Sequence, residues 1–317
     1  MTASGALNQL VQLLLVAAAA PLLMGWVNAC RAWLQNRSAP SLLQPYRVLR
    51  KLLHKDAALA ENASWLFRFA PYVVFGCMWL VAGIVPVLAT DLPFGRAADV
   101  IALVGVFAVA RVFISLAAMD IGTAFGTLGA RREMLIGALA EPALLIIFFN
   151  FALISQSTSL NTIVDTMAHR EFALHPSLAF AAVAFVMVLL AENARVPVDN
   201  PATHLELTMV HEALVLEYSA RHLALIEWAS AIKLFAYCAI GIACFLPWGI
   251  TRAGDWQALP LAIVAIVAKL LVAGAGLAVL ETVSAKMRIF RVPEFVATAF
   301  MLAMLGLLLH YVFEVSK

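Results

Sequence analysis

Apolar residues in this chain fall into long solid runs separated by shorter polar stretches. A helix that crosses a bilayer needs about 20 mostly apolar residues. By that measure the runs at Ala6–Val27, Leu66–Ala89, Val100–Ala118, Met134–Ile154, Leu174–Ala191, Leu223–Trp248, Ala258–Val283 and Phe295–Phe313 predict about eight transmembrane helices. A membrane β-barrel would instead show alternating segments of about 10 residues. The expected fold is therefore all-α, a polytopic membrane helix bundle. Residues 1–317 read as a single integral membrane domain with cytoplasmic docking loops, because no fixed-period repeat and no low-complexity linker apart from Ala17–Ala20 divides them. The first run has no basic segment before it and no clear Ala-x-Ala site after it, which marks it as a span rather than a cleaved signal.

One polar stretch is itself patterned. Within Ser41–Lys55, Leu42, Pro45, Tyr46, Leu49, Leu52 and Leu53 fall near one helical face, and Arg47, Arg50, Lys51 and His54 on the other. Pro45 suits a first helical turn. The pattern predicts an amphipathic interfacial helix lying on the cytoplasmic leaflet, in contact with lipid.

Composition narrows the function classes. The chain is 64% hydrophobic and 13% charged, against about 25% charged in ordinary soluble domains. Mean hydropathy is +0.94. These values exclude a cytosolic globular enzyme and a disordered chain, and a net charge of +2 gives no reason to expect a nucleic-acid partner. Cys30, Cys77, Cys238 and Cys244 form no CxxC pair, so no iron–sulfur or zinc site is expected on this chain.

Charge asymmetry sets an expected orientation. Arg31, Arg37, Arg47, Arg50, Lys51, Lys55, Arg68, Arg131, Arg132, Arg195, Arg221, Lys286, Arg288 and Arg291 fall in one set of connections. Only Arg96, Arg170, Arg252 and Lys317 fall in the other, and Arg111, Lys233 and Lys269 lie within runs. The positive-inside rule places the first set in the cytoplasm and both termini outside a cell inner membrane.

Four cytoplasmic stretches are distinctive. They are Gln35–Arg47 leading into Lys51–Lys55; Asp120-Ile-Gly-Thr-Ala-Phe-Gly-Thr-Leu-Gly-Ala-Arg-Arg-Glu133 with Ala140-Glu-Pro142; Glu192-Asn-Ala-Arg-Val-Pro-Val-Asp-Asn-Pro201 with His204-Leu-Glu206, His211-Glu212 and Glu217-Tyr-Ser219; and Ala285–Glu294. Together they resemble the membrane subunit of respiratory complex I that sits under the hydrophilic arm. The resemblance is closer to its relatives in group 4 energy-converting, membrane-bound nickel–iron (NiFe) hydrogenases, such as formate hydrogenlyase. It covers nearly the whole chain. Where complex I builds its quinone cavity, this sequence departs: Ala29-Cys30-Arg31 replaces an acidic–basic pair, Ser38-Ala-Pro-Ser41 replaces Gly-Pro-Asn-Arg, and about three extra residues separate Glu206 from Glu217.

The resemblance implies a non-catalytic anchor and coupling subunit of an oxidoreductase complex. Its expected partners are the hydrogenase large and small subunits, which would carry the NiFe centre and iron–sulfur clusters, and antiporter-like membrane subunits. Arg37, Tyr46, Arg132, Arg195 and Asp199 are the expected docking residues. A quinone-site subunit of complex I and a free-standing ion transporter are the competing readings.

Charges inside or beside the runs supply the candidate chemistry. A charged side chain at mid-span costs about 2.5–3.5 kcal/mol by insertion scales, so such residues pair or face water. Glu141, Glu192, Glu206, Glu212, Lys233, Lys269 and Glu281 are the expected proton or ion path, with fixed ion pairs that lock helices together as the structural alternative. Arg111 is read as able to snorkel to the cytoplasmic end of its run. Residues from Thr203 to Tyr218 are expected to be helical. His211-Glu212 lacks the second histidine of HExxH because Val215 stands there, so zinc is not expected.

Overall fold

The computed structural model describes residues 3–87, 89, 90, 93–97, 99–169, 176–199, 209–252 and 259–315. Each of the eight predicted runs lies largely within a helix: α1 (Ala3–Leu34), α3 (Trp65–Ile84), α4 (Val100–Asp120), α5 (Ala124–Ser155), α7 (Pro176–Glu192), α9 (Ala220–Phe245), α10 (Leu259–Val283) and α11 (Val292–Val315). Among the described residues seven of these are long and apolar enough to cross a membrane. The other, α7, has 17 residues, or about 25 Å at 1.5 Å per residue. The chain is an all-α polytopic membrane bundle, with one two-residue parallel strand pair, β1 (Ala89–Thr90) and β2 (Thr251–Arg252).

Helix starts follow from short polar side chains. Ser64 Oγ accepts from Leu66 N, Asp99 Oδ1 from Ile101 N at 2.7 Å and Thr123 Oγ1 from Gly126 N, which satisfies N–H groups left open at each first turn. The interfacial helix exists as α2 (Gln44–Leu53), with Pro45 in its first turn and Leu49 buried. Two short helices complete the set, α6 (Leu160–His169) and α8 (His211–Val215). Of the expected helix from Thr203 to Tyr218, only α8 is helical among the described residues, and residues 203–208 lie outside them.

α9 forms the centre, with 72% of its apolar window buried, whereas α10 and α11 are buried over only 28% and 22%. Tyr237, Phe235 and Ile232 of α9 are fully enclosed. The four cysteines are free and buried.

The two ends of the bundle are tied differently. At one end Ser64 N donates to Asp120, Ser219 Oγ donates to Ala58 O, and Met287 N donates to Pro197 O. All the distinctive polar stretches that are described meet there. At the other end Gln12 Nε2 donates to Ala82 O and Val85 O, Gln9 Nε2 donates to Gly83 O, and β1 pairs with β2. Gln9 and Gln12 are themselves buried.

Candidate functional site

Four helices converge on one guanidinium. Arg111 sits near the middle of α4 and is only 6% exposed. It pairs with Glu133 at 3.4 Å and, more closely, with Glu141 and Glu192. Lys233 of α9 completes the group, 3.0 Å from the Glu192 carboxylate and donating to the Glu192 carbonyl at 2.6 Å. Arg111 therefore does not snorkel. A deeply buried cation is tolerable only where carboxylates and hydrogen bonds replace its water, and three carboxylates do so here.

Local sequence explains the convergence. Glu133, Gly137 and Glu141 are spaced by four, so they line one face of α5. A Cβ at position 137 would stand 2.6 Å from Arg111 Cδ, so only glycine leaves room for the arginine between the two glutamates. The buried ring of Tyr237, 4.9 Å from that of Phe107, closes the cluster beside Glu192.

A second buried group lies across the bundle. Glu281 of α10 pairs with Arg195 at 3.1 Å and Arg31 at 3.5 Å, joining α10 to the segment after α7 and to α1. Asp199 pairs with Lys286 at 3.1 Å and accepts from the backbone N–H groups of Val210 and His211 at 3.2 Å each.

Two cavities connect these groups to the end where the polar stretches meet. The larger, about 630 Å³, is lined by Arg31, Arg37, Gln44, Asp199, Glu212 and Glu227 among others. The smaller, about 60 Å³, is lined by Arg111, Glu133, Glu192 and Lys233. Asn193, His211 and Ser230 line both. The smaller volume is enough for ordered water.

The structure thus brings Glu141, Glu192 and Lys233 together, sets Glu281 in the second group and places Glu212 on the wall of the larger cavity. Lys269 stands apart: its Nζ donates to the carbonyls of Leu246, at 2.6 Å, and Trp248, where it caps the end of α9. Glu206 lies outside the described residues. Of the expected docking residues, Arg37 is exposed on the cavity wall, Tyr46 donates to Ala18 O of α1, and Arg132 is half-buried and donates to Met209 O. Arg195 and Asp199 are buried and bonded within the chain. Sequence reasoning missed Arg111, Glu133 and Arg31 as members of these groups. The signal for the first two was the Glu133-Gly137-Glu141 spacing, which needs a cation opposite.

Comparison with known proteins places the chain. The family model described as NADH dehydrogenase matches residues 7–312. Formate hydrogenlyase subunit 4 of Escherichia coli (strain K12) is 32% identical over 300 residues, covering 95% of this chain and 97% of that protein. Hydrogenase-4 component C of the same organism is 32% identical over 245 residues, 77% of this chain and 75% of that protein. A chain in the structure of the membrane-bound sulfane sulfur reductase, an archaeal respiratory membrane complex, shares the fold with a TM-score of 0.80 at 18% identity, over 95% of this chain and 98% of that one. This chain belongs to the NADH dehydrogenase family of membrane proteins, the family that the sequence motifs pointed to.

Proposed function

We propose that this chain is the membrane anchor and coupling subunit of a formate hydrogenlyase-like NiFe hydrogenase complex, linking a hydrophilic electron-transfer arm to proton or sodium movement. The observation that carries this reading is the Arg111 cluster with its water-sized cavity, reached from the end where the family's distinctive stretches gather. A purely structural lock has no need of a hydrated approach. In this reading the NiFe centre and iron–sulfur clusters belong to partner subunits, the arm docks over the exposed Arg37 region, and antiporter-like subunits lie alongside in the inner membrane.

The test is Glu192→Gln in the full complex, scored as ions moved per electron in sealed vesicles. A coupling role predicts an assembled complex with a lowered ratio. Normal pumping in an assembled variant would remove the cluster from the path. The larger cavity supports a second reading, a quinone-site subunit, because it has room for an amphiphile's head. Inhibition by a short-chain quinone analogue would favour that reading, and insensitivity would oppose it.

A further inference from the structure

Two packed spans, α3 and α9, begin together with the wrong charge for a helix start. The N-terminal end of a helix is its positive pole and is stabilised by anions. Neither helix has an acidic residue in its first turn, and each carries an arginine there, Arg68 in α3 and Arg221 in α9. Ser219, the N-cap of α9, spends its hydroxyl on Ala58, accepting from N at 3.0 Å and donating to O at 2.7 Å. The first-turn N–H groups of α9 therefore have no side-chain cap. The stack of Phe67 on Tyr218 holds the two starts together, as does Tyr72, whose ring meets that of His222 edge-on at 5.8 Å. Arg68 and Arg221 are exposed, lie within electrostatic reach of His222 and have no hydrogen-bonded or ion-pair partner among the described residues. Asp120 accepts from Ser64 N at 2.9 Å and Glu217 is exposed; neither pairs with these arginines. His222 is a separate sign of a missing partner: it is 3% exposed, and its Nδ1 has no hydrogen bond. Such a buried atom carries a cost that a ligand relieves.

We propose that the joint start of α3 and α9 is a binding site for one anionic phospholipid of the adjoining leaflet, its phosphate held between Arg68 and Arg221. Uncapped helix starts and guanidinium groups are both natural phosphate binders, and His222 Nδ1 offers a third donor in its N–H tautomer. Both arginines stand at the ends of spans, where headgroups lie. Arg68, Tyr72, Gly76 and Leu80 follow one another at intervals of four and so form one stripe of α3. Tyr72 and Leu80 are exposed, and a Cβ added at Gly76 would meet no atom within 4 Å, so the stripe has room for an acyl chain. A soluble anion would use the arginines and leave this apolar stripe idle. A zwitterionic head would return a cation to a site already holding two, so the fitting head is net negative.

The test is native mass spectrometry of the purified full chain in detergent, titrated with dioleoyl-phosphatidylglycerol or dioleoyl-phosphatidylcholine. A basic residue near a membrane surface favours an anionic lipid by about fivefold, so the two arginines are expected to give a preference of about 30-fold for the first lipid bound. Arg68→Gln and Arg221→Gln are each expected to lower that preference about fivefold, and the double variant to lose one bound phosphatidylglycerol. Arg288→Gln, which removes the same charge elsewhere, is expected to keep it. The single variants and the wild-type preference carry the test even where the double variant does not fold. Equal binding of the two lipids by the wild type, or an unchanged preference in both single variants, would overturn the proposal. Inorganic phosphate is expected not to compete at millimolar concentration. Displacement of the lipid by it would mark a site for a soluble anion and overturn the lipid assignment.

Discussion

At the scale of single residues, buried polar groups dominate, and one of them gives a pH dependence. Tyr218, between α8 and α9, is 4% exposed, stacks on Phe67 with ring centroids 4.0 Å apart and donates to Phe67 O at 3.0 Å. Burial, with Asp120 nearby, pushes its phenol above the ordinary value of 10. The folded state therefore favours the protonated phenol. That contribution is complete below about pH 10 and is lost as pH rises from there toward the raised folded value. Tyr218→Phe is expected to cost about 1 kcal/mol at neutral pH, the net worth of one hydrogen bond, and to flatten the alkaline decline. Thermal unfolding in detergent, followed from neutral to alkaline pH, checks both. Arg111 shows where sequence stops being informative. Its place inside an apolar run is visible there, and so is the Glu133-Gly137-Glu141 face. Which helices meet at that point is not, and without them a snorkelling arginine and a clamped one look alike.

At the scale of helices, solid apolar runs locate all eight long elements, because a bilayer leaves few alternatives to a helix that satisfies its own backbone. The short α6 is not among them, although Leu160, Ile163, Val164 and Met167 follow helical spacing. Its ten residues are too few to stand out beside the spans. The docking assignment of Arg195 rests on its place in a cytoplasmic stretch, and sequence cannot show that the stretch folds back into the bundle. Its pairing with Glu281 makes a prediction about how α7, α10 and α1 hold together. Arg195→Ala would leave Glu281 buried with only Arg31, a change that costs about 3 kcal/mol. The expected result is a lower unfolding temperature of the purified complex, with the arm still bound. Arm loss at unchanged stability would instead mark Arg195 as a docking residue.

For the whole molecule, the charge asymmetry predicts which end faces the cytoplasm. The native cysteines are buried, so they give little background for labelling. Cysteines replacing the exposed Arg37, Arg131 and Arg288 are expected to react only from the cytoplasmic side, and one replacing the exposed Trp248 only from the other. Labelling of the Arg131 position from outside the cell would invert the topology. The same axis carries a consequence for transport. Both cavities lie toward the end where the polar stretches meet, while at the opposite end Gln9 and Gln12 are buried and bonded to backbone carbonyls. In the coupling role proposed above, the chain would act as a half-channel, open toward the end where the polar stretches meet. In that role an ion reaching the Arg111 cluster would leave sideways, past Glu141, whose side chain is 27% exposed. A neighbouring membrane protein seated there would complete the crossing, and liposomes holding this chain alone are expected to retain an imposed proton gradient as well as empty ones.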